Sequence, residues 1–327
     1  MRRLKAADIQ ITENQDRQGH PDNDQGGENR EDPTRSSRRL AHGGKLIPRQ
    51  KVGSPDCSPL GSGDDGGVFI HEIGGGIRGV VGLHGWSGDH LTFQPIWNNM
   101  PADWTFFSPD LPGCGQSDPP KEWSLRGVAQ EVAEEVVNLG IRDLVLVGSC
   151  SGAILTAFVV RELREMGRPE VVARIVLIDP FAYCPWYFRF FLLPLIGFPI
   201  YAVAFANPIG RWLTNLSLQD KKADDTDLTE SFARVDHRVT WKYLRMLDEC
   251  GFPGQFRGMP VAVEILYGQK TFSAVKQSVE VWKEALPQAR VRELAGVGHL
   301  PISEGTEEVA QVVFDGAKVN RRQSAKG

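Results

Sequence analysis

The chain has 327 residues, 41% hydrophobic and 24% charged, which suffices for one large α/β domain or two smaller ones and is ordinary for a globular protein. A formal net charge of −4 provides no basic excess for a nucleic-acid partner. The five cysteines, Cys57, Cys114, Cys150, Cys184 and Cys250, are odd in number, far apart and never in a C-x-x-C pair. Neither a zinc site nor a disulfide framework is therefore expected, and a reducing, cytoplasmic setting is.

Residues 1–60 are rich in Asp, Asn, Gln, Arg, Gly and Pro and poor in aromatics. Such a segment buries too little apolar surface to offset the entropy of ordering, which predicts a disordered tail, either a solvated extension or a tether. Two arginines follow Met1 without an apolar stretch behind them, so no secretory signal is expected.

From about residue 66 short apolar runs alternate with helical periodicity. Val80-Val81-Gly82-Leu83 ends at His84-Gly85, Trp104-Thr105-Phe106-Phe107 at Pro109-Asp110, and Leu144-Val145-Leu146-Val147 at Gly148. Ile175-Val176-Leu177-Ile178 ends at Asp179-Pro180, and the run from Val261 to Tyr267 at Gly268. Continuous apolar runs closed by Gly or Pro fit buried strands of a parallel sheet. Between them Leu125, Val128, Val132, Val136 and Leu139 keep helical spacing, with Ser124 as the N-cap and Gly140 to end the helix. Residues 153–166 contain no helix breaker, and Val309, Val312 and Val313 give a last helix its apolar face. The expected fold is α/β, a mostly parallel central sheet with helices on both faces.

One stretch interrupts the alternation: residues 180–260 hold no clear strand. Its aromatic part includes residues 190–206, which carry no charge, but Pro194, Gly197 and Pro199 break it and it falls short of the ~20 residues of a spanning helix. Two readings stand, a helical cap over a pocket or a contact of 190–206 with a membrane surface. Residues 220–227 read as a solvated loop. The expected divisions are a tail (1–60), a first core segment (61–182), a helical cap insertion (183–258) and a second core segment (259–327).

Three motifs carry chemistry. His84-Gly85-Trp86 follows a strand, Gly148-Ser149-Cys150-Ser151-Gly152 joins a strand to a helix, and Gly298-His299 lies beyond the last strand. A nucleophile at a sharp strand-to-helix turn needs small residues two places before and after it. Gly148 and Gly152 stand there around Cys150. A register shifted by one would centre the turn on Ser151, with Ser149 and Ala153 as neighbours, but would bury Gly148 inside the strand. A thiolate is the attacking form of cysteine, and a helix N-terminus and an imidazolium both favour it. His299 is the candidate general base.

Together with Asp110-Leu111-Pro112-Gly113-Cys114-Gly115-Gln116-Ser117, these motifs resemble the α/β-hydrolase superfamily over residues 66–318. The resemblance implies a nucleophile elbow at Cys150, a catalytic His299 and an oxyanion hole built from the backbone N–H groups of Trp86 and Ser151. It gives His84 the part of orienting the oxyanion loop and Asp110 that of shaping its own turn. No Gly-x-Gly-x-x-Gly run opens a helix after a strand and no His-x-x-x-His pair occurs, so neither a metal nor an organic cofactor is indicated. The acid departs from the pattern, because Thr271 occupies its usual place after Gly268. Some members carry the acid one strand earlier, which makes Asp179 the leading candidate. Asp248 or Glu249 from the cap, or a Cys–His pair without an acid, are the alternatives.

Within the superfamily, dienelactone hydrolases place a cysteine at the elbow. The expected activity is hydrolysis of an ester, thioester or lactone on an apolar acyl substrate. Transfer of the acyl group, as in the polyhydroxyalkanoate synthases that share Gly-x-Cys-x-Gly, and a non-enzymatic binding role are the competing readings. Oligomeric state and substrate identity are not legible.

Overall fold

The computed structural model describes residues 67–223, 226–251 and 253–315. The tail expected at 1–60, and Cys57 within it, lie outside the described residues.

Seven strands form one sheet in the order β1-β3-β2-β4-β5-β6-β7. They are β1 (Ile70–Gly74), β2 (Arg78–Leu83), β3 (Trp104–Pro109), β4 (Leu144–Ser149), β5 (Val172–Ile178), β6 (Ala262–Gly268) and β7 (Arg290–Leu294). Only β1 runs antiparallel to its neighbour, and every other pairing is parallel. The five expected apolar runs become β2 to β6. The edge strands β1 and β7 escape the same rule because they are half-buried or exposed along most of their length.

Alternation along the inner strands assigns side chains to two layers. Leu144 and Leu146 of β4, with Ile175 and Leu177 of β5, face the layer of helices α1 (Leu125–Asn138) and α2 (Gly152–Glu165). Val145, Val147, Val176 and Ile178 face the other layer, closed by the last helix through Val309, Val312 and Val313. Burial on both faces is why these strands read as continuous apolar runs rather than alternating ones. Ser124 caps α1 as expected, its hydroxyl accepting from the Gly127 N–H at 3.0 Å.

The stretch between β5 and β6 is helical and contains no strand among its described residues. It holds a 3-10 turn (Trp186–Leu192), α3 (Gly197–Tyr201) with a widened continuation through Ala206, α4 (Pro208–Ser217) and α5 (His237–Glu249). Further on come α6 (Ser273–Ala285) and α7 (Thr306–Asp315). Among the described residues no single helix is long and apolar enough to cross a membrane. Of the segment 220–227 expected as a solvated loop, residues 224 and 225 lie outside the described residues; at its start the Lys221 carbonyl accepts the His299 N–H at 2.9 Å and buttresses the loop carrying His299.

Candidate active site

The site lies at the carboxyl ends of β2, β4, β5 and β6, where the parallel strands hand over to their following turns. At the end of β4 the chain folds back sharply. Cys150 takes a left-handed backbone, φ 56°, before Ser151 enters α2 in the ordinary helical region. The glycines on either side are a steric necessity. A Cβ at Gly148 would lie 2.3 Å from Thr156 Oγ1 and 2.6 Å from the Gly152 carbonyl oxygen, and one at Gly152 would lie 2.4 Å from the Leu83 carbonyl oxygen. Of the two registers open to the sequence, the turn is therefore centred on Cys150, a strained position that a non-glycine residue occupies at a cost of order 1–3 kcal/mol.

Asp179 is the counterpart at the end of β5. It too is left-handed, φ 48°, and its side chain is buried. Its Oδ1 accepts the Gly268 N–H at 2.9 Å, and its Oδ2 lies 2.5 Å from His299 Nδ1. Thr271, the residue standing in the usual place of the acid, donates its hydroxyl to the same Oδ2 and lies 3.3 Å from His299 Nδ1. The carboxylate thus comes from the strand before, and the threonine fixes it. Asp248 and Glu249 do not approach: Asp248 pairs with Arg189 at 2.8 Å and Glu249 with Arg245 at 3.7 Å.

The other ring nitrogen of His299, Nε2, stands 3.9 Å from Cys150 Sγ. Phe181 and Phe272 lie edge-on to the imidazole, with ring centroids 5.7 and 4.7 Å away. Burial opposes a charged imidazole, but the hydrogen bonds and charges of Asp179, then Cys150, outweigh it and raise the His299 pKa to about 10. Burial is the leading cause of a raised pKa in Cys114 and Cys184, pushed up to about 12, and in Cys250, pushed up to about 11.

His84 is buried at the root of the loop after β2. Its Nε2 accepts the Leu111 N–H at 3.0 Å, which leaves Nδ1 to donate to the Gly85 carbonyl at 2.9 Å. That tautomer is neutral, in keeping with the burial that lowers its pKa, and it fixes the loop as the sequence suggested. Asp110 accepts from the N–H groups of His90 and Gln116 at 2.7 and 2.8 Å and faces His90 Nδ1 at 3.0 Å. A Cβ at Gly115 would meet its carboxylate at 2.2 Å, so the turn closes around Asp110.

Sequence reasoning missed one contact. The Trp86 N–H, expected to face an oxyanion, donates at 2.8 Å to the Ser151 hydroxyl. The sequence offers the Ser151 hydroxyl only as the nucleophile of the shifted register, and nothing in it marks that hydroxyl as the partner of Trp86. Beside this pair a cavity opens, walled by Trp86, Ser151, Leu111, Leu155, Val239 and Tyr243. It adjoins the Ser151 side of the elbow, and His299 is not among its walls.

Fold and site geometry together are those of an α/β chain with a sharp strand-to-helix turn at the carboxyl edge of its sheet. The model of the alpha/beta hydrolase family matches residues 80–312, so the chain belongs to that family. It is 34% identical over 97 residues to the AB hydrolase superfamily protein YisY of Bacillus subtilis (strain 168), a match covering 29% of this chain and 36% of that relative. Among solved structures it is similar to a putative alpha/beta hydrolase from Nostoc sp PCC 7120 (TM-score 0.60, 18% identity, 80% of this chain and 97% of that one). It is also similar to a thermophilic esterase from Thermogutta terrifontis (TM-score 0.59, 18% identity, 76% and 92%). An epoxide hydrolase from Vigna radiata shows the same likeness (TM-score 0.59, 17% identity, 76% and 93%). At such identities the structures share the fold alone.

Proposed function

We propose that the protein hydrolyses an ester, thioester or lactone through an acyl-enzyme on Cys150. The carrying observation is the chain of contacts from Cys150 Sγ to His299 Nε2 at 3.9 Å and from His299 Nδ1 to Asp179 Oδ2 at 2.5 Å. In the first half-reaction Cys150 Sγ adds to the substrate carbonyl carbon while His299 Nε2 holds the proton, in keeping with the raised pKa of that ring. The backbone N–H groups of Trp86 and Ser151 receive the oxyanion. The tetrahedral adduct collapses as the bond to the leaving group breaks, and His299 returns the proton to that group. In the second, His299 takes a proton from water, hydroxide adds to the thioester, the C–S bond breaks and the thiol is restored with release of the acid. Asp179 orients the imidazole and favours its charged form throughout.

Trp86 N–H is held by the Ser151 hydroxyl at 2.8 Å without substrate, so an arriving oxyanion has to displace that hydroxyl. The helical stretch between β5 and β6 serves as the cap, and the cavity between Trp86, Leu155 and Tyr243 suits an apolar group of the substrate. Water and an alcohol acceptor would meet the same thioester, so hydrolysis and transfer differ only in the nucleophile of the second half-reaction.

The test begins with alkylation by a fluorescent iodoacetamide at neutral pH, followed by mapping of the modified sites. Cys150 is expected to label first, because burial holds Cys114, Cys184 and Cys250 in the thiol form. Labelling of Cys150 no faster than these three would remove the activated thiol. A panel of p-nitrophenyl esters, thioesters and lactones, with and without added alcohol, then separates hydrolysis from transfer by product.

A further inference from the structure

Large apolar side chains that stand exposed are not spread over this molecule. Among the described residues they gather on residues 186–216. Their arrangement is periodic. Ile196, Ile200 and Val203 follow one another at i, i+4 and i+7 along α3 and its continuation, and Ile209, Trp212 and Leu216 at i, i+3 and i+7 along α4. The set on α4 is the apolar stripe of an amphipathic helix, the stripe that ordinarily faces a core, whereas α3 and its continuation are apolar all round. Here Val203, Ile209 and Trp212 are 69, 72 and 63% exposed. The two helices are held together, since a Cβ at Gly210 of α4 would lie 1.8 Å from the Val203 carbonyl oxygen and Thr214 donates to the Ala204 carbonyl at 3.3 Å. Their outward stripes thus belong to one helical pair.

The first helix is apolar on its inner side as well. Tyr201 and Phe205 are buried against Trp86 and Phe232. The inner face is accounted for by the oxyanion loop, and the outer face has no partner among the described residues. Residues 1–66 contain no aromatic residue at all and are a poor cover for such a surface.

We propose that this outer face docks on a phospholipid bilayer surface, and that the substrate of the Cys150 site is an amphiphilic acyl compound drawn from it. The second half rests on the hydrolase reading above; the first does not. Two features select lipid over a second copy of the chain. Residues 180–219 contain no Asp or Glu, in a protein whose net charge is −4, and their only charged side chains are Arg189 and Arg211. Arginine accompanies apolar residues into an interface while keeping its guanidinium at headgroup depth, and Trp186 and Trp212 are the aromatic type that prefers this depth. The segments Trp186–Leu192 and Gly197–Ala206 together have the length and hydropathy of a span but are bent by 116°. Such a pair lies along a bilayer rather than crossing it.

Continuity with the site supports the substrate class. The turn Trp186–Leu192 carries Trp186 and Phe190 outward, 70 and 51% exposed, while Tyr187 and Phe188 of the same turn pack in the cluster that holds Cys150, Phe181 and Phe272. One turn of chain separates the lipid-facing surface from the thiol.

Co-flotation of the full chain with phosphatidylcholine vesicles, with and without phosphatidylglycerol, tests the surface directly. The protein is expected to float with the vesicles, more strongly when they are anionic. The triple variant Val203→Ser/Ile209→Ser/Trp212→Ser is expected to lose more than about tenfold in partition while keeping its turnover of a short water-soluble ester. Cys150→Ala is expected to float like the parent, so vesicle binding stands or falls independently of the hydrolase reading. Failure of the parent to float overturns the proposal, as does undiminished flotation of the triple variant. So does a dimer, seen by sedimentation without vesicle binding, that the three substitutions dissolve.

Discussion

The carboxyl edge of the sheet and the helical stretch between β5 and β6 solve opposite problems with the same kinds of residue. At the sheet edge apolar side chains are buried on both faces, and the site side chains are held by partners: Asp179 receives the Gly268 N–H, the Thr271 hydroxyl and the His299 ring. In the stretch 186–216 the apolar side chains are turned outward and the helices touch the rest of the protein on one side only. Rigid, fully satisfied geometry is what a reaction needs, whereas an unsatisfied apolar face is what a partner needs. Substitutions at the sheet edge should therefore change turnover, and those on the outer helices should leave it alone.

The sharpest break is Cys150→Ala. If Cys150 is the nucleophile, as proposed, the variant is expected to lower kcat by about a thousandfold or more in a continuous ester assay, with folding intact by circular dichroism. Residual turnover within tenfold of the parent would move the chemistry to another residue, Ser151 first.

Asp179→Asn comes next, and the structure dictates its sense. The Gly268 N–H points at Oδ1, so the amide must keep its carbonyl there and turn its NH2 toward His299. That NH2 donates to Nδ1, leaving the ring proton on Nε2, where it can no longer accept from the Cys150 thiol. The expected loss is about a hundredfold in kcat, within the ~10²–10⁴ range of general-base effects. The same variant carries a pH signature. A histidine raised from 6.5 to about 10 in the folded protein stabilises the fold fully below pH 6.5, and that contribution fades as pH rises through about 10. Denaturant unfolding should find the parent more stable than Asp179→Asn at neutral pH, with the gap closing on the alkaline side. A gap that does not depend on pH would detach Asp179 from the charge on His299.

These contacts also mark how far the sequence could be read. The inner strands were legible because burial on both faces writes itself as Val, Leu and Ile, and the elbow because Gly148 and Gly152 have no room for a Cβ. The His299 loop was legible from its order after the last strand. The partner of His299 was harder, since Asp179 reaches it only through the pairing of β5 with β6 and a left-handed residue before Pro180. A place in a sheet ladder is a long-range fact that no local pattern states. The Ser151 hydroxyl on Trp86 joins residues 65 apart and was invisible for the same reason. The exposure of 186–216 could not be read either, because an amphipathic stripe has the same period whether a core or a bilayer covers it.

Ser151→Ala probes the missed contact. Removing the hydroxyl frees the Trp86 N–H but also releases the oxyanion loop from the elbow. A neutral hydrogen bond is worth about 1 kcal/mol net, so kcat/KM should fall by about fivefold. Loss of the loop's position should appear mostly in kcat. A variant faster than the parent would mean that the hydroxyl obstructs the oxyanion site more than it orders it.

The smallest expected effect tests the comparison at its closest point, two residues apart on one helix. Val203 is 69% exposed, whereas Phe205 is buried against Trp86 and Phe232, stacked on the latter at 4.4 Å between ring centroids. Phe205→Ala empties a packed position and should cost about 3–5 kcal/mol in urea unfolding. Val203→Ser removes side-chain area that already faces water in the folded protein, so its cost should stay within about 0.5 kcal/mol. Turnover of a water-soluble ester should follow the same split, because Phe205 supports the Trp86 loop from behind and Val203 touches none of it. A Val203→Ser variant destabilised as much as Phe205→Ala would show that the outer stripe is covered in the folded monomer. The contrast between the two regions would then vanish at the one place where neighbouring residues of a single helix define it.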